Sequence, residues 1–151
     1  TISRFTIDEL FLDLVDEMKV QLKPGQQIHY SFSGDKEFFS DNKLVRNIFI
    51  NLISNAIKFS PENKIIDVTC LVENNKNAII SIRDEGIGIS EEEKKHLFSS
   101  FFRGHNAVNI QGTGMGLHIV KRYLSLLKGS VRLESNLQKG STFIIDLPSL
   151  Q

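Results

Sequence analysis

The apolar positions in the first part of the chain change between helix spacing and strand alternation. Residues 5–7 predict a short strand, and apolar side chains three and four positions apart over residues 8–22 predict an amphipathic helix. The Lys-Pro-Gly segment at residues 23–25 ends that helix. Alternation over residues 28–32 then predicts a second strand. The chain therefore opens with a strand, a helix and a strand.

The middle of the chain predicts a long helix followed by a hairpin. Ser40 or Asp41 is a suitable N-cap for a helix that ends near Lys58, just before a proline. Apolar residues alternate over residues 66–72 and again over residues 80–84, with a polar turn between them. These two strands are expected to pair as a β-hairpin.

The last third of the chain predicts two further helices and a second hairpin. A capping box, Ser-Glu-Glu-Glu, opens a helix at residues 90–93, and residues 100–111 are expected to form mostly loop. A fourth helix is predicted over residues 115–128, before Gly129. The closing hairpin pairs residues 131–135 with residues 142–147.

Composition and charge narrow the classes of protein that this pattern can represent. Of the 151 residues, 40% are hydrophobic and 24% are charged, which fits one globular domain with a sizeable core. The 18 basic residues balance the 18 acidic residues, so the basic field typical of nucleic-acid binding is missing. Apolar runs fall short of the roughly 20 residues that cross a bilayer. Thr1 in place of Met leads us to expect a piece of a longer protein.

A single cysteine, Cys70, excludes an internal disulfide framework. It lies within an apolar, strand-like run, which predicts a small core residue. A lone cysteine in the reduced form fits a reducing compartment, and the cytosol is the usual one.

Three asparagines at four-residue intervals mark one face of the second predicted helix. At about 100° per residue, that face carries Asn47, Asn51, Ser54, Asn55 and Lys58. A solvated polar surface is the ordinary interpretation of such a face. Asparagine is a mediocre helix former, however, so its repetition favours a binding face. Amide oxygens suit a phosphate-bound Mg²⁺, and the Lys58 ammonium suits a phosphate group.

A carboxylate at the end of a strand marks a second candidate site. Asp84 ends the predicted hairpin, and Gly86 and Gly88 follow it, so a ligand could approach the backbone closely. Because a carboxylate only accepts hydrogen bonds, it suits the exocyclic amine of adenine and disfavours guanine. Taken alone, Asp-Glu-Gly is as readily an ordinary turn.

Three alternating glycines, Gly112, Gly114 and Gly116, precede the fourth predicted helix. Free N–H groups at a helix N-terminus favour phosphate. Their G-x-G-x-G spacing differs from the dinucleotide fingerprint, and no G-x-x-x-x-G-K-[ST] occurs, so both common phosphate loops are excluded. A flexible connector is the alternative for the glycines alone. The joint occurrence of all three stretches favours a nucleotide pocket.

Together these stretches resemble the ATP-binding catalytic domain of bacterial sensor histidine kinases. That family is shared with gyrase, mismatch-repair and heat-shock chaperone ATPases, and the resemblance covers nearly the whole chain. Its motifs are the asparagine box at residues 51–60, the first glycine box at 84–89, the phenylalanine box at 98–103, the second glycine box at 112–117 and a final glycine turn at 139–143.

The resemblance implies a fold and a domain plan. The fold is a two-layer α/β sandwich, in which about three helices cover one face of a mixed, mainly antiparallel sheet of about five strands. Residues 1–151 form a single catalytic and ATP-binding domain, with a lid at about residues 103–111. The dimerisation and phosphoacceptor domain is expected to lie outside this chain.

The resemblance also implies roles for individual residues. Asn55 coordinates Mg²⁺, Lys58 and Arg103 contact phosphates with help from Asn51, and Asp84 binds the adenine amine. The remaining residues implied at the nucleotide are Phe59 beside the base, Gly86, Gly88, Ile89, Phe102, Gly112, Thr113, Gly114, Met115, Gly116, Leu117 and Thr142. The phenylalanines of the phenylalanine box are expected to anchor the lid.

One position separates the possible reactions of this family. The ATP-hydrolysing relatives use a Glu, one helical turn before the metal-binding Asn, to activate water, and Asn51 occupies that position here. An amide cannot act as a general base, so phosphoryl transfer is favoured over hydrolysis. The alternatives are a clamp-type ATPase, an anti-sigma serine kinase and a degenerate kinase that only senses nucleotide.

The phosphoacceptor is expected on another domain. In histidine kinases it lies in a His-Glu or His-Asp pair followed by Pro, a setting absent at His29, His96, His105 and His118. The chain alone should bind Mg·ATP with little turnover. The implied partners are ATP, the dimerisation domain of the same kinase and a response regulator, without nucleic acid or direct membrane contact. We expect a monomeric, cytoplasmic fragment of a homodimeric, membrane-anchored kinase.

Overall fold

Three helices and two sheets form the described part of the chain. The computed structural model describes residues 1–90, 113–135 and 138–151. Its helices are α1 (Ile7–Met18), which continues as a 3₁₀ turn at Lys19–Gln21, α2 (Asn42–Phe59) and α3 (Thr113–Leu126). Its strands are β1 (Ser3–Thr6), β2 (Gln27–Gly34), β3 (Glu37–Ser40), β4 (Ile65–Val72), β5 (Ala78–Asp84), β6 (Ser130–Ser135) and β7 (Ser141–Leu147).

The main sheet has five strands in the order β2-β4-β5-β7-β6. Strand β2 pairs parallel with β4, and the other three pairings are antiparallel. Strands β1 and β3 form a separate antiparallel pair. Within the described residues, no helix is both long and apolar enough to cross a lipid bilayer.

One face of the main sheet is buried beneath the helices. Ile80, Ile82, Ile145 and Leu147 point to this face and are at most 1% exposed. Arg83, the neighbour of Ile82 along β5, is exposed on the other face. Helix α2 packs against α1, α3 and β5, so it is central in the helical layer. The predicted two-layer α/β sandwich with a mixed five-stranded sheet is confirmed.

Aromatic packing secures α1 against the sheet. Phe11 of α1 contacts Phe49 of α2 edge-on, with ring centroids 4.8 Å apart, and stacks on Tyr30 of β2 at 5.8 Å. The predicted burial of Cys70 is confirmed, since this residue is 2% exposed. Burial, chiefly, raises the pKa of its thiol to about 12, and the nearby Asp8 carboxylate adds to the shift.

Asp41 fixes the start of α2, the helix that carries the asparagine box. Its side chain accepts hydrogen bonds from the N–H groups of Lys43 and Leu44 at 3.0 and 3.1 Å. Such an N-cap contributes about 1 kcal/mol to stability. At the other end, the Ser60 N–H donates to the Ala56 carbonyl and Pro61 follows, which stops the helix. Of the two predicted caps, Asp41 is the one used.

Most predicted elements are present with shifted boundaries. Both hairpins are confirmed, and the helices predicted over residues 8–22 and 115–128 begin one and two residues earlier. The strand Glu37–Ser40 was not predicted, because the preceding Ser-Gly-Asp segment looked like a direct turn into the next helix. It pairs with Ser3–Thr6, a contact distant in sequence. The predicted helix opening at residues 90–93 and the loop at residues 100–111 lie largely outside the described residues.

Candidate functional site

The C-terminal half of α2 presents the amides and the cation of the asparagine box. Asn55 is 4% exposed, and its Nδ2 has no hydrogen-bond partner within the described residues. Leaving such a group unpaired costs about 1–3 kcal/mol. Asn51 is half-buried, with its Nδ2 donating to the Asn47 carbonyl at 2.8 Å. Lys58, which follows Asn55 by about one helical turn, is exposed. The buried Asn55 amide is therefore suited to a polar ligand.

Asp84 is a buried carboxylate at the end of β5. It is 3% exposed, and its Oδ1 accepts a hydrogen bond from the Gly86 N–H at 2.8 Å. Burial raises its pKa to about 6, although the backbone N–H groups of Gly86 and Ser141 act in the opposite direction. Above that pH the Asp84 side chain is an ionised carboxylate, a hydrogen-bond acceptor in low-dielectric surroundings.

Gly86 brings the end of α2 into contact with the Asp84 loop. A Cβ atom added at residue 86 would lie 2.4 Å from the carbonyl oxygen of Phe59 and 3.0 Å from Oδ1 of Asp84. No other residue type fits there without displacing backbone. The two motifs, separate in the sequence, are thus in direct contact.

Two buried serines join the first glycine box to the last hairpin. The Ser135 hydroxyl accepts from the Ile89 N–H at 2.8 Å, donates to the Gly140 carbonyl at 2.9 Å and lies 2.7 Å from the Ser141 hydroxyl. Both serines are 6% exposed. Sequence reasoning missed them, although a hydroxyl at a core-facing strand position is a usable signal. They hold the loop that follows Asp84.

Gly140 sits at the turn of that hairpin, against the backbone of Asp84. Its φ of +82° is in the left-handed region, and a Cβ atom there would lie 2.2 Å from the Asp84 carbonyl oxygen. The Gln138 N–H also donates to the Ile87 carbonyl at 2.6 Å. The hairpin turn therefore packs on the first glycine box.

Thr142, although it was predicted at the nucleotide, faces away from Asp84. It pairs with Arg83 on the sheet face opposite the helices, whereas Ser141 pairs with Asp84. Leu117 of α3 is fully buried in the core. At Gly116 a Cβ atom would lie 3.1 Å from Oδ1 of Asn51, so the second glycine box reaches α2.

The other predicted residues are placed only in part. Gly88, with φ of +76°, and Ile89, 7% exposed, lie in the loop after Asp84. Thr113, Gly114 and Met115 form the first turn of α3. The phenylalanine box, the lid and the first glycine of the second box lie outside the described residues, and with them Phe102, Arg103 and Gly112.

The described residues fit an ATP-like ligand at two ends. At one end, a buried acceptor stands beside glycine backbone, which suits a base with an exocyclic amine. At the other, the Nδ2 of the buried Asn55 has no partner among the described residues and the Lys58 cation follows it, and these two donors suit phosphate oxygens. The amide oxygen of Asn55 is of the type that suits a phosphate-bound Mg²⁺. The contact between Phe59 and Gly86 joins these two ends.

Comparison with solved structures identifies the same architecture elsewhere. The catalytic domain of histidine kinase ThkA has a TM-score of 0.86 and 25% identity, with 99% of this chain and 96% of that chain covered. Full-length ShkA in complex with AMPPNP has a TM-score of 0.86 and 23% identity, with 99% of this chain and 31% of that chain covered.

Sequence comparison identifies the family. Sensor protein RprX of Bacteroides fragilis is 39% identical over 117 residues, and signal transduction histidine-protein kinase ArlS of Staphylococcus aureus is 33% identical over 139. These alignments cover 75% and 86% of this chain but only 22% and 31% of the relatives. A family profile matches residues 40–151. The chain therefore belongs to the histidine kinase-, DNA gyrase B- and HSP90-like ATPase family.

Proposed function

We propose that this domain binds Mg·ATP and donates the γ-phosphoryl group to a histidine on a separate dimerisation domain, in two-component signalling. The observation that carries the proposal is the buried Asp84 carboxylate, joined through Gly86 to the end of the asparagine helix. The named relatives, a sensor protein and a signal transduction histidine kinase, support the same reading.

The base is bound at the Asp84 end. Its carboxylate accepts a hydrogen bond from the exocyclic amine of adenine, and the Gly86 N–H holds Oδ1 of that carboxylate in place. In guanine a carbonyl oxygen takes the place of this amine and would face the negatively charged Asp84 carboxylate. Two hydrogen-bond acceptors facing each other in a buried site are strongly unfavourable, so the site selects ATP over GTP.

The phosphates are bound at the α2 end. The Asn55 amide oxygen would hold Mg²⁺ and Lys58 would contact phosphate oxygens. The resemblance assigns a second cation, Arg103, to the phosphates as well. When bound there, Mg²⁺ would supply positive charge that offsets the negative charge of the phosphates. Asn51 positions the phosphates and cannot abstract a proton from water, which protects the bound nucleotide from hydrolysis.

In the transfer step a phosphorus–nitrogen bond forms and a phosphorus–oxygen bond breaks. A ring nitrogen of the acceptor histidine attacks the γ-phosphorus, the bond to the β,γ-bridging oxygen breaks, and ADP leaves. The imidazole loses its N–H proton to solvent or to a neighbouring carboxylate of the acceptor domain. The histidine then passes the phosphoryl group to a response regulator. Phosphoryl transfer requires an acceptor positioned at the γ-phosphorus, so the chain without the acceptor domain turns over slowly.

The setting of the domain follows from this reaction. ATP is available in the cytoplasm, so we place the domain there, as part of a homodimeric sensor kinase whose other domains sense the signal. The identities of the signal and of the response regulator depend on those other domains.

A phosphotransfer assay tests the proposal. The chain is mixed with γ-labelled ATP, Mg²⁺ and a dimerisation domain that carries the acceptor histidine. Label should appear on that domain as acid-labile phosphohistidine, and it should disappear when the acceptor is changed from His to Gln. Steady phosphate release by the chain alone, abolished by Asn51→Ala, would instead identify an ATPase.

A further inference from the structure

The C-terminal end of α2 is held by a loop that belongs to none of the family motifs. The last carbonyl groups of a helix have no partner within the helix and must be satisfied by other groups. For the Ile57 and Lys58 carbonyls of α2 the partners come from residues 23–26, here called the 23–26 loop, which connects α1 to β2. The same loop also binds the carbonyl of Ser60, just beyond the helix.

Gln26 supplies the central contacts of the 23–26 loop. Its side chain is 5% exposed, and its Nε2 lies 3.1 Å from the Ile57 carbonyl, 2.8 Å from the Ser60 carbonyl and 3.3 Å from the Pro61 carbonyl. Its Oε1 accepts from the Lys23 N–H at 2.8 Å. The buried amide is therefore satisfied on both sides, which defines its position.

Lys23 adds a charge to the same helix end. Its Nζ donates to the carbonyls of Lys58 and Ser60, both at 2.8 Å. A cation at a helix C-terminus also interacts favourably with the helix dipole. Backbone contacts complete the attachment, since the Asn63 N–H donates to the Pro24 carbonyl at 3.1 Å.

The helix end held in this way is the one that meets the Asp84 loop. Phe59, between the carbonyls bound by the 23–26 loop, has its own carbonyl against Gly86, and Gly86 donates to Asp84. Asn55 lies one turn earlier on α2, and Lys58 is the neighbour of Phe59. The 23–26 loop thus holds the part of α2 that lies between the Asp84 loop and Asn55.

We propose that Gln26, assisted by Lys23, is a positioning residue for the nucleotide site. This inference rests on the proposed function, because it assigns the Asp84 end to the base and the α2 end to Mg²⁺ and phosphates. Gln26 does not touch the nucleotide. It keeps the last turn of α2 at the separation from Asp84 at which one molecule of Mg·ATP reaches both ends.

The test compares ligands that use one end or both ends. Gln26→Met keeps the length of the side chain and removes its hydrogen bonds. Binding of Mg·ATP is measured by calorimetry and binding of adenosine by NMR titration, at a temperature where each variant is folded. We expect Gln26→Met to weaken Mg·ATP by about tenfold or more, because small displacements in a two-ended site are costly. Adenosine, which needs only the Asp84 end, should bind as in the wild type.

A neighbouring glutamine supplies the matched control. Gln27→Met makes the same chemical change at an exposed position of β2, and it should alter neither ligand. Lys23→Met is a milder variant for the case in which Gln26→Met fails to fold, and it should weaken Mg·ATP in the same selective way.

The outcomes separate this inference from the proposed function. If Gln26→Met and Lys23→Met lower only the melting temperature, or weaken both ligands equally, Gln26 is a structural residue and the inference is wrong. If the wild type fails to bind Mg·ATP, or if Asp84→Asn binds as well as the wild type, the proposed function itself fails.

Discussion

The two ends of the β5–β7 strand pair differ in what they bury on the same face. At one end, the core end, Ala78 pairs with Leu147, and both are fully buried. At the other, the site end, Asp84 pairs with Ser141, and both are again almost inaccessible to solvent. Register, sheet face and degree of burial match, and only the chemistry changes from hydrocarbon to carboxylate and hydroxyl.

This difference separates residues that stabilise the fold from residues that bind. Burial of hydrocarbon at the core end is favourable by about 25 cal/mol per Å². Burial of a carboxylate at the site end is unfavourable, as the raised pKa of Asp84 indicates. A position that destabilises the folded chain by itself is a candidate for ligand binding.

Truncation at the core end should have the largest effect on stability. Leu147→Ala removes buried hydrocarbon and should lower the free energy of unfolding by about 2–5 kcal/mol, measured by urea denaturation. The affinity for Mg·ATP of the folded variant should not change. A loss of affinity without a loss of stability would contradict the division between the two ends.

Removal of the charge at the site end, by Asp84→Asn, should instead raise the free energy of unfolding. The folded-state pKa of Asp84, about 6, exceeds the ordinary value of 3.8, so the folded chain binds this proton more tightly than the unfolded chain. The carboxyl group therefore favours folding below pH 3.8, and this contribution is lost as the pH rises through about 6. Asp84→Asn should be more stable than the wild type above pH 6, by up to about 3 kcal/mol.

The pH dependence of urea denaturation checks this prediction. The difference between Asp84→Asn and the wild type should shrink towards zero near pH 4. Leu147→Ala is the matched control, because it should lower stability without changing the shape of the pH profile. Identical profiles for wild type and Asp84→Asn would show that Asp84 is not destabilised by its burial.

A methyl group at the hairpin turn should disturb the site end through the backbone. Gly140→Ala forces a left-handed φ on alanine, which costs about 1–2 kcal/mol, and places its Cβ against the Asp84 carbonyl. Stability by denaturation and Mg·ATP affinity by calorimetry should both fall. Lys139→Ala, at the exposed neighbouring position, is the control and should change neither. Unchanged affinity in a destabilised Gly140→Ala variant would place the turn outside the site.

A substitution on the sheet face that the helices do not cover, here called the open face, should have the smallest effect on stability. Arg83 of β5 lies 3.9 Å from Asp67 of β4, and both side chains are largely exposed. Such pairs contribute about 0–1 kcal/mol. Arg83→Gln should change the free energy of unfolding by no more than this and leave Mg·ATP affinity intact. A larger effect on either measurement would indicate a role for the open face.

Features with short-range causes were predictable from the sequence. The Asp41 cap, the helix it begins and the two hairpins depend on residues only a few positions apart. Asp84 could be singled out for the same reason, because strand alternation ends at it and glycines follow. The apolar strand around Cys70 likewise predicted its burial.

Features that depend on contacts distant in sequence were not predictable. The Glu37–Ser40 strand exists through its pairing with Ser3–Thr6, and Gln26 acquires its partners only when the chain brings it to α2. At the last hairpin, the strand register decides which side chain pairs with Asp84. In the structure Ser141 pairs with Asp84, and Thr142 pairs with Arg83.

Calorimetry of Mg·ATP binding to the wild-type chain and to Asp84→Asn tests the central claim most directly. If the buried carboxylate accepts from the adenine amine, the amide, which turns a donor towards that amine, should weaken binding by about 100-fold or more. The variant should remain folded, and the wild type should prefer ATP to GTP. Wild-type affinity in a folded Asp84→Asn variant would contradict the assignment of Asp84 as the base-binding residue.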